Sequence, residues 1–272
     1  MNVLGFDTAT PATVVGLRLA DGTTLQASDE PTAKERPGHA TRLLPLASGL
    51  LAQAGLSWQE LDRIAVGVGP GTFTGLRIGV ATARGLAQSL GVELVGVCTL
   101  RVLAEAALQG LEAEPHSAVL AAIDARRGEA FAAAYSAEGE LIAPQALPPL
   151  ELGSIPAQTG GDRGWLAVGD GALRFREDLQ AGAVSVPTDA SPLHRVDAGV
   201  LCELALSAPA GDPEAVLPDY RRRPDAEIAL EGGGVGRRPA GRAPLDFESE
   251  GGGVGRRPAG RAPLDFESEG GG

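Results

Sequence analysis

The chain has 272 residues, of which 43% are hydrophobic, 21% charged and 4% aromatic; this is the composition of a folded protein and excludes disorder throughout. Two distant cysteines, Cys98 and Cys202, exclude a disulfide scaffold, and Arg, Asp or Gly breaks every apolar run before the roughly 18 residues of a membrane span. The net charge of −12 opposes unspecific binding of nucleic acid by the chain alone, but not a role beside a basic partner.

In chain order, MNVLGFDTAT lacks a basic start and puts Asp7 where a signal peptide needs its apolar core, so a cytoplasmic protein is expected. Val3 to Phe6 and Thr13 to Leu19 are strands, Asp21-Gly22 is a hairpin turn, and Thr23 to Ser28 is a third strand. Helical spacing begins near Ala40: Leu43, Ala47, Leu50 and Ala54 form one stripe, widened by Leu44 and Leu51. Ser57 and Glu60 make a capping box. Arg63 to Val68 is a buried strand, and a Gly-rich loop from Gly69 to Gly75 leads into a helix from Leu76 to Leu90. Glu93 to Val97 is a strand, and Thr99 caps a helix running to Leu108.

The second half restarts the same grammar. Ser117 to Asp124 and Glu129 to Ser136 are strands about an Arg126-Arg127-Gly128 turn, and Leu141 to Pro144 begins a third. Each half therefore opens with three strands, the first ending in Asp7 or Asp124, which points to duplicated α/β domains. The Pro- and Gly-rich stretch Pro144 to Gly164 is expected to be loop, Leu166 to Gly171 a strand entering a tight turn, and Asp197 to Ala208 a helix. Residues 231–249 and 250–268 are the same 19 letters twice, rich in Gly and Arg, and too poor in apolar residues to build a core; a disordered tail is expected.

The segment Val66-Gly67-Val68-Gly69-Pro70-Gly71-Thr72-Phe73-Thr74-Gly75-Leu76-Arg77 is the most informative. A strand ends in glycines and a helix opens with free N–H groups, so Gly69, Gly71, Thr72, Thr74, Gly75 and Arg77 are candidates to cradle an anion, with Asp7 alongside. The segment lacks the Lys of a P-loop and the third Gly of a dinucleotide fingerprint. A sharp turn with close helix packing is the favoured reading of the glycines over anion binding, because Gly75, Gly79 and Ala83 give the helix a flat face. Asp7 suits either a magnesium-linked carboxylate or a side chain capping its own turn. No HxxxH, HExxH, CxxC or GxSxG pattern exists, so metal and serine-hydrolase chemistry have no support. His39 is a cap-region or partner-contact residue, and Arg221-Arg222-Arg223 is a basic spot that suits an acidic partner, RNA or solvent.

Phe6-Asp7-Thr8-Ala9-Thr10, His39 ahead of Leu43-Leu44-Pro45, Gly69 to Gly79, Ala83 to Ala87, Ala122 to Glu129 and Pro218-Asp219-Tyr220 resemble the TsaB (YeaZ-type) family of bacterial threonylcarbamoyladenosine biosynthesis proteins. The resemblance covers residues 1–230. It implies an α/β fold of two RNase H-like lobes of the actin, hexokinase and Hsp70 (ASKHA) type. Residues 1–108 would be an N-terminal lobe carrying the partner face. Residues 109–230 would be a degenerate C-terminal lobe whose last helix packs back on the first, and 231–272 the tail. It further implies a non-catalytic subunit of the complex that transfers threonylcarbamoyl to adenosine 37 of ANN-decoding tRNAs. The partners would be a TsaD-like catalytic subunit, a TsaE-like ATPase and, through them, tRNA, with no membrane. The chain would need no cofactor of its own; ATP or ADP, Mg and a metal ion belong to the partners. The partner face is expected on His39, Leu43, Leu44, Ala47, Leu50, Leu76, Gly79, Val80, Ala83 and Ala87, and a homodimer would bury it when the partner is absent. The alternatives are an independent small-molecule kinase or ATPase of the same fold, and a peptidase acting on the partner.

Overall fold

The computed structural model describes residues 1–32, 35–110, 118–159, 163–209 and 211–221, all within one unit, Met1–Ala229. The expectations for the repeat tail, and for Ser117, Arg222 and Arg223, lie outside these residues. No helix among the described residues is long and apolar enough to cross a membrane.

Two sheets organise the chain. The first runs in the order β3-β2-β1-β4-β5, from β1 (Val3–Asp7), β2 (Thr13–Arg18), β3 (Thr24–Asp29), β4 (Arg63–Gly69) and β5 (Glu93–Cys98). β1, β2 and β3 pair antiparallel, whereas β4 and β5 add in parallel. The second repeats this plan with one strand fewer: β6 (Ala118–Arg126), β7 (Glu129–Ser136) and β8 (Gly139–Leu147) form a meander, and β9 (Trp165–Val168) pairs parallel to β6. The echo seen in the sequence is thus a repeated topology, that of RNase H-like lobes.

Alternation of side chains sets the layers. Leu4, Phe6, Val15, Leu17, Ile64 and Val66 point to one face and pack under α1 (His39–Ala54) and α2 (Phe73–Leu90). Val3, Val14, Ala65, Val95 and Val97 point to the other, where they share one core with α3 (Thr99–Gly110), α7 (Ala198–Ser207) and the inner face of the second sheet. The outer face of that second sheet packs under α4 (Pro149–Thr159), α5 (Asp170–Arg174) and α6 (Arg176–Ala181). The two middle helices are exchanged: α3 lies against β6 and β7, and α7 against β1 and β2. Glycine makes the second contact possible, because a methyl carbon on Gly16 would lie 2.6 Å from the Ala198 carbonyl oxygen.

Three expectations need correction. The helix after the Gly-rich loop starts at Phe73, so Gly75 lies inside it. Thr99 does not cap α3; its hydroxyl is used elsewhere. The stretch from Pro144 to Gly164 is largely structured, since β8 continues to Leu147 and α4 follows. Pro149 sits at the first position of α4, where its missing N–H costs nothing, and Leu152 and Ile155 bury one side of the helix.

Candidate functional site

β1 ends in Asp7, and the side chain turns inward. Its residue is fully buried; Oδ1 accepts the Ala9 N–H at 2.6 Å, and Oδ2 accepts the Thr99 hydroxyl at 2.6 Å. Thr99 in turn accepts the Gly69 N–H at 3.2 Å. A side chain on Gly67 would collide with the Asp7 carboxylate, so glycine is what admits it. Asp7 therefore closes its own turn and ties β1 to the ends of β4 and β5. Burial pushes its carboxyl above the usual range, against the lowering effect of Thr99 and Ala9.

The Gly-rich segment packs onto the turn after β1. Thr72 N–H donates to the Ala9 carbonyl at 2.8 Å, and the Thr8 hydroxyl donates to the Gly75 carbonyl at 2.7 Å. Side chains on Gly71 and Gly75 would strike the backbone of Ala9 and Thr8, and one on Gly79 the Thr8 hydroxyl. Gly69 has φ +100° and makes the sharp exit from β4. Of the candidate anion-cradle residues, Asp7, Gly69 and Gly75 are buried, Gly71 and Thr72 are half-buried, and Thr74 and Arg77 face solvent. The two loops that would flank a phosphate lie against each other.

The same geometry relocates the expected partner residues. His39, Leu43, Ala47, Leu50, Leu76, Gly79, Val80, Ala83 and Ala87 are all buried within the chain; Leu44 alone, 44% exposed, faces out. A stripe at helical spacing marks the face a helix buries, and here both helices bury it against their own sheet. His39 Nδ1 lies 2.9 Å from the Thr13 hydroxyl, and burial lowers the imidazole's pKa, with Asp29 opposing.

The exposed residues of the two helices are Ala40, Thr41, Arg42, Leu44, Pro45, Ser48, Gly49, Ala52 and Gln53 on α1, and Thr74, Arg77, Ala81, Gly85, Gln88 and Ser89 on α2. Arg42, which pairs with Asp29 at 3.3 Å, and Arg77 are the charged residues among these fifteen, on a strongly acidic chain. Gly49 and Gly85 have no atom within 4 Å of where a side chain would stand, so internal packing does not require either glycine.

Other groupings were not legible in the sequence. Asp124, the counterpart of Asp7, stays near the surface, accepting from Arg174 at 2.7 Å and from the Arg126 N–H at 2.8 Å. Asp170 accepts the Asp124 N–H at 3.0 Å, and burial, with Asp124 as a lesser cause, raises its pKa. Arg63 reaches from β4 to Glu93 on β5 and to the carbonyls that end α7. Half-buried Phe73 and exposed Arg77 and Tyr220 form a cluster at the start of α2. No group of three or more His, Cys, Asp or Glu suited to a metal occurs among the described residues.

The family model described as TsaD, tRNA N6-adenosine threonylcarbamoyltransferase, matches residues 31–155. The YeaZ structure from Pseudomonas aeruginosa superposes with a TM-score of 0.67 at 31% identity, covering 81% of this chain and 100% of that one. The chain belongs to the TsaB (YeaZ) family. The tRNA threonylcarbamoyladenosine biosynthesis protein TsaB of Bacillus subtilis is 30% identical over 71% of this chain and 83% of its own length. That of Escherichia coli is 42% identical over 50% of this chain; this match spans 55% of the Escherichia coli protein.

The Asp7 environment gives a pH test. The folded chain holds this proton more tightly than the unfolded chain, so its contribution to stability is present at low pH and falls as pH rises through the raised folded value. Wild type is expected to lose stability relative to Asp7→Asn as pH rises above about 4, read by urea melts at each pH. Parallel curves would mean that the carboxylate is ionised in place.

Proposed function

We propose that the chain is a non-catalytic subunit of the assembly that transfers a threonylcarbamoyl group to adenosine 37 of ANN-decoding tRNAs. It pairs with a TsaD-like catalytic subunit and acts with a TsaE-like ATPase, and it meets tRNA within that complex. Membership of the TsaB family carries this reading, because relatives are named for threonylcarbamoyladenosine biosynthesis. The buried Asp7 and the mutual packing of the two loops support a structural rather than a catalytic role. ATP, Mg and metal chemistry then belong to the partners. The same burial weighs against an independent kinase, and the inaccessible Thr13–His39 pair gives a peptidase no usable nucleophile.

The partner covers the outer arcs of α1 and α2, where the small residues Gly49, Ala52, Ala81 and Gly85 allow close helix approach, and a homodimer buries these arcs when the partner is missing. Reconstitution tests the function. With TsaD- and TsaE-type subunits and a source of threonylcarbamoyl-adenylate, tRNA modification is expected only when this chain is present. A chain ending at Leu230 is expected to suffice, because each 19-residue repeat holds one Leu and one Phe. Full modification without the chain overturns the proposal.

A further inference from the structure

The C-terminal segment of the described chain runs back onto the opening of α2. Asp219 N–H donates to the Val68 carbonyl at 2.8 Å, which places Tyr220 against the first turn of the helix. The Tyr220 and Phe73 rings lie 5.2 Å apart, centre to centre. The Arg77 guanidinium sits 3.8 Å over the Phe73 ring, and its Nε donates to the Tyr220 hydroxyl at 3.1 Å. Tyr220 remains 42% exposed and its neighbour Leu217 61%.

Most aromatic rings in the described chain are spent in the core: Phe6, Phe131, Phe175, Tyr135 and Trp165 are all buried. Two of the remainder meet here, at the surface, beside an arginine. The charge is also local. Arg77 and Arg221 stand at the cluster, Asp219 pairs with Arg221 at 2.7 Å, and the sequence continues with Arg222 and Arg223, on a chain whose net charge is −12. An exposed tyrosine ring beside a half-buried phenylalanine with a stacked guanidinium, and an adjacent arginine, form a platform for an unpaired base and its phosphate.

We infer that Phe73, Arg77 and Tyr220 form a stacking platform for an unpaired base of an RNA strand, with Arg221 beside the backbone phosphate. The inference rests on the proposed function and gives the chain a direct contact with the RNA. Arg77 lies one turn from Ala81 on the solvent arc of α2, so a base held here sits at the margin of the proposed partner face.

The test uses the full chain assembled with its TsaD-type partner, and a fluorescent anticodon stem–loop RNA as probe. Tyr220→Phe keeps the ring and removes only the hydroxyl that holds Arg77; Tyr220→Ala removes both. Tyr220→Ala is expected to raise the RNA Kd about tenfold, and Tyr220→Phe to leave it within about twofold. Partner pull-down is expected to be equal for all three chains. Equal weakening by both variants makes the cluster a clasp for the C-terminal segment and overturns the platform, as does an unchanged Kd for Tyr220→Ala. Loss of the partner instead of the RNA shows a protein contact and also overturns it. Should Tyr220→Ala not fold, photocrosslinking of 4-thiouridine RNA to the wild-type complex decides: a crosslink on the peptide holding Tyr220 supports the platform, and crosslinks confined to other peptides refute it. The two readings fail separately. RNA binding that depends on Tyr220 in a chain dispensable for modification overturns the function alone. Modification that needs the chain but is blind to Tyr220 in RNA binding overturns the platform alone.

Discussion

Gly49→Arg and Gly85→Arg are each expected to raise the melting temperature of the isolated chain and to abolish its proposed pairing with a TsaD-type subunit. Both glycines lie inside helices, in α1 and α2, and beyond the local helix backbone neither has a described atom within 4 Å of where a Cβ would stand. Glycine in a helix interior is about 0.8–1.0 kcal/mol worse than alanine, and arginine is close to alanine. Each substitution should therefore gain up to about 1 kcal/mol, a rise of about 2–4 °C for a unit of this size. Nothing among the described residues explains why glycine stands at these two positions. A partner helix approaching the backbone closely does, and an arginine there both opens the packing and buries an unpaired charge. The measurement is a thermal melt of the variant chain alongside pull-down with the TsaD-type subunit. A variant that melts higher yet still captures its partner places the interface elsewhere. Gly79→Arg and Ala83→Arg serve as the contrast: Gly79 abuts Thr8 and Ala83 is fully buried, so these charges enter the chain's own core and should unfold it.

That contrast marks where sequence pattern stops being informative. Period 3.6 in Leu43, Ala47 and Leu50 shows that α1 has a face to bury, and the structure buries it on the chain's own sheet. The same pattern says nothing of what covers the other face. Spacing of four among Gly75, Gly79 and Ala83 signals a close approach, and the thing approached is the Thr8 backbone and hydroxyl rather than a partner. The strands and turns were legible because alternation and turn residues are local. The Asp7 turn was legible in the same way, as one of two readings, since its Ala9 contact spans two residues. Its second partner, Thr99, is 92 residues away, and no spacing announces such a bond. Between Pro144 and Gly164 composition misled, because proline at the first position of a helix counts as a breaker in a survey of residue types but fits that position without strain. The Tyr220 cluster joins α2 to a segment 143 residues later and was equally out of reach.

Arg63→Ala is expected to destabilise the chain by about 3 kcal/mol, through contacts that likewise span most of the sequence. Arg63 opens β4 with its side chain 8% exposed. Its Nε and Nη2 donate to one carboxylate oxygen of Glu93 on β5, the former at 2.9 Å. Its Nη1 turns to the end of α7, donating to the Ala205 carbonyl, to Leu206 at 3.4 Å and to Ala208 at 3.1 Å. The last carbonyls of a helix have no partners of their own, and a cation there also meets the negative end of the helix dipole. Alanine removes the charge and leaves these carbonyls unpaired in a buried place, at the point where α7 is fastened to the first sheet. Glu93 contributes little to the cost, because its side chain is 50% exposed and water can solvate it; Glu93→Gln should therefore cost less than about 1 kcal/mol. Arg63→Lys should recover only part of the loss, since a single ammonium cannot hold Glu93 and the helix end with one planar fork. Melts of the three variants check the order, with Arg63→Ala lowest by about 6–12 °C for a unit of this size. If Arg63→Ala and Glu93→Gln fall together, the ion pair is the whole effect and the capping of α7 is without consequence.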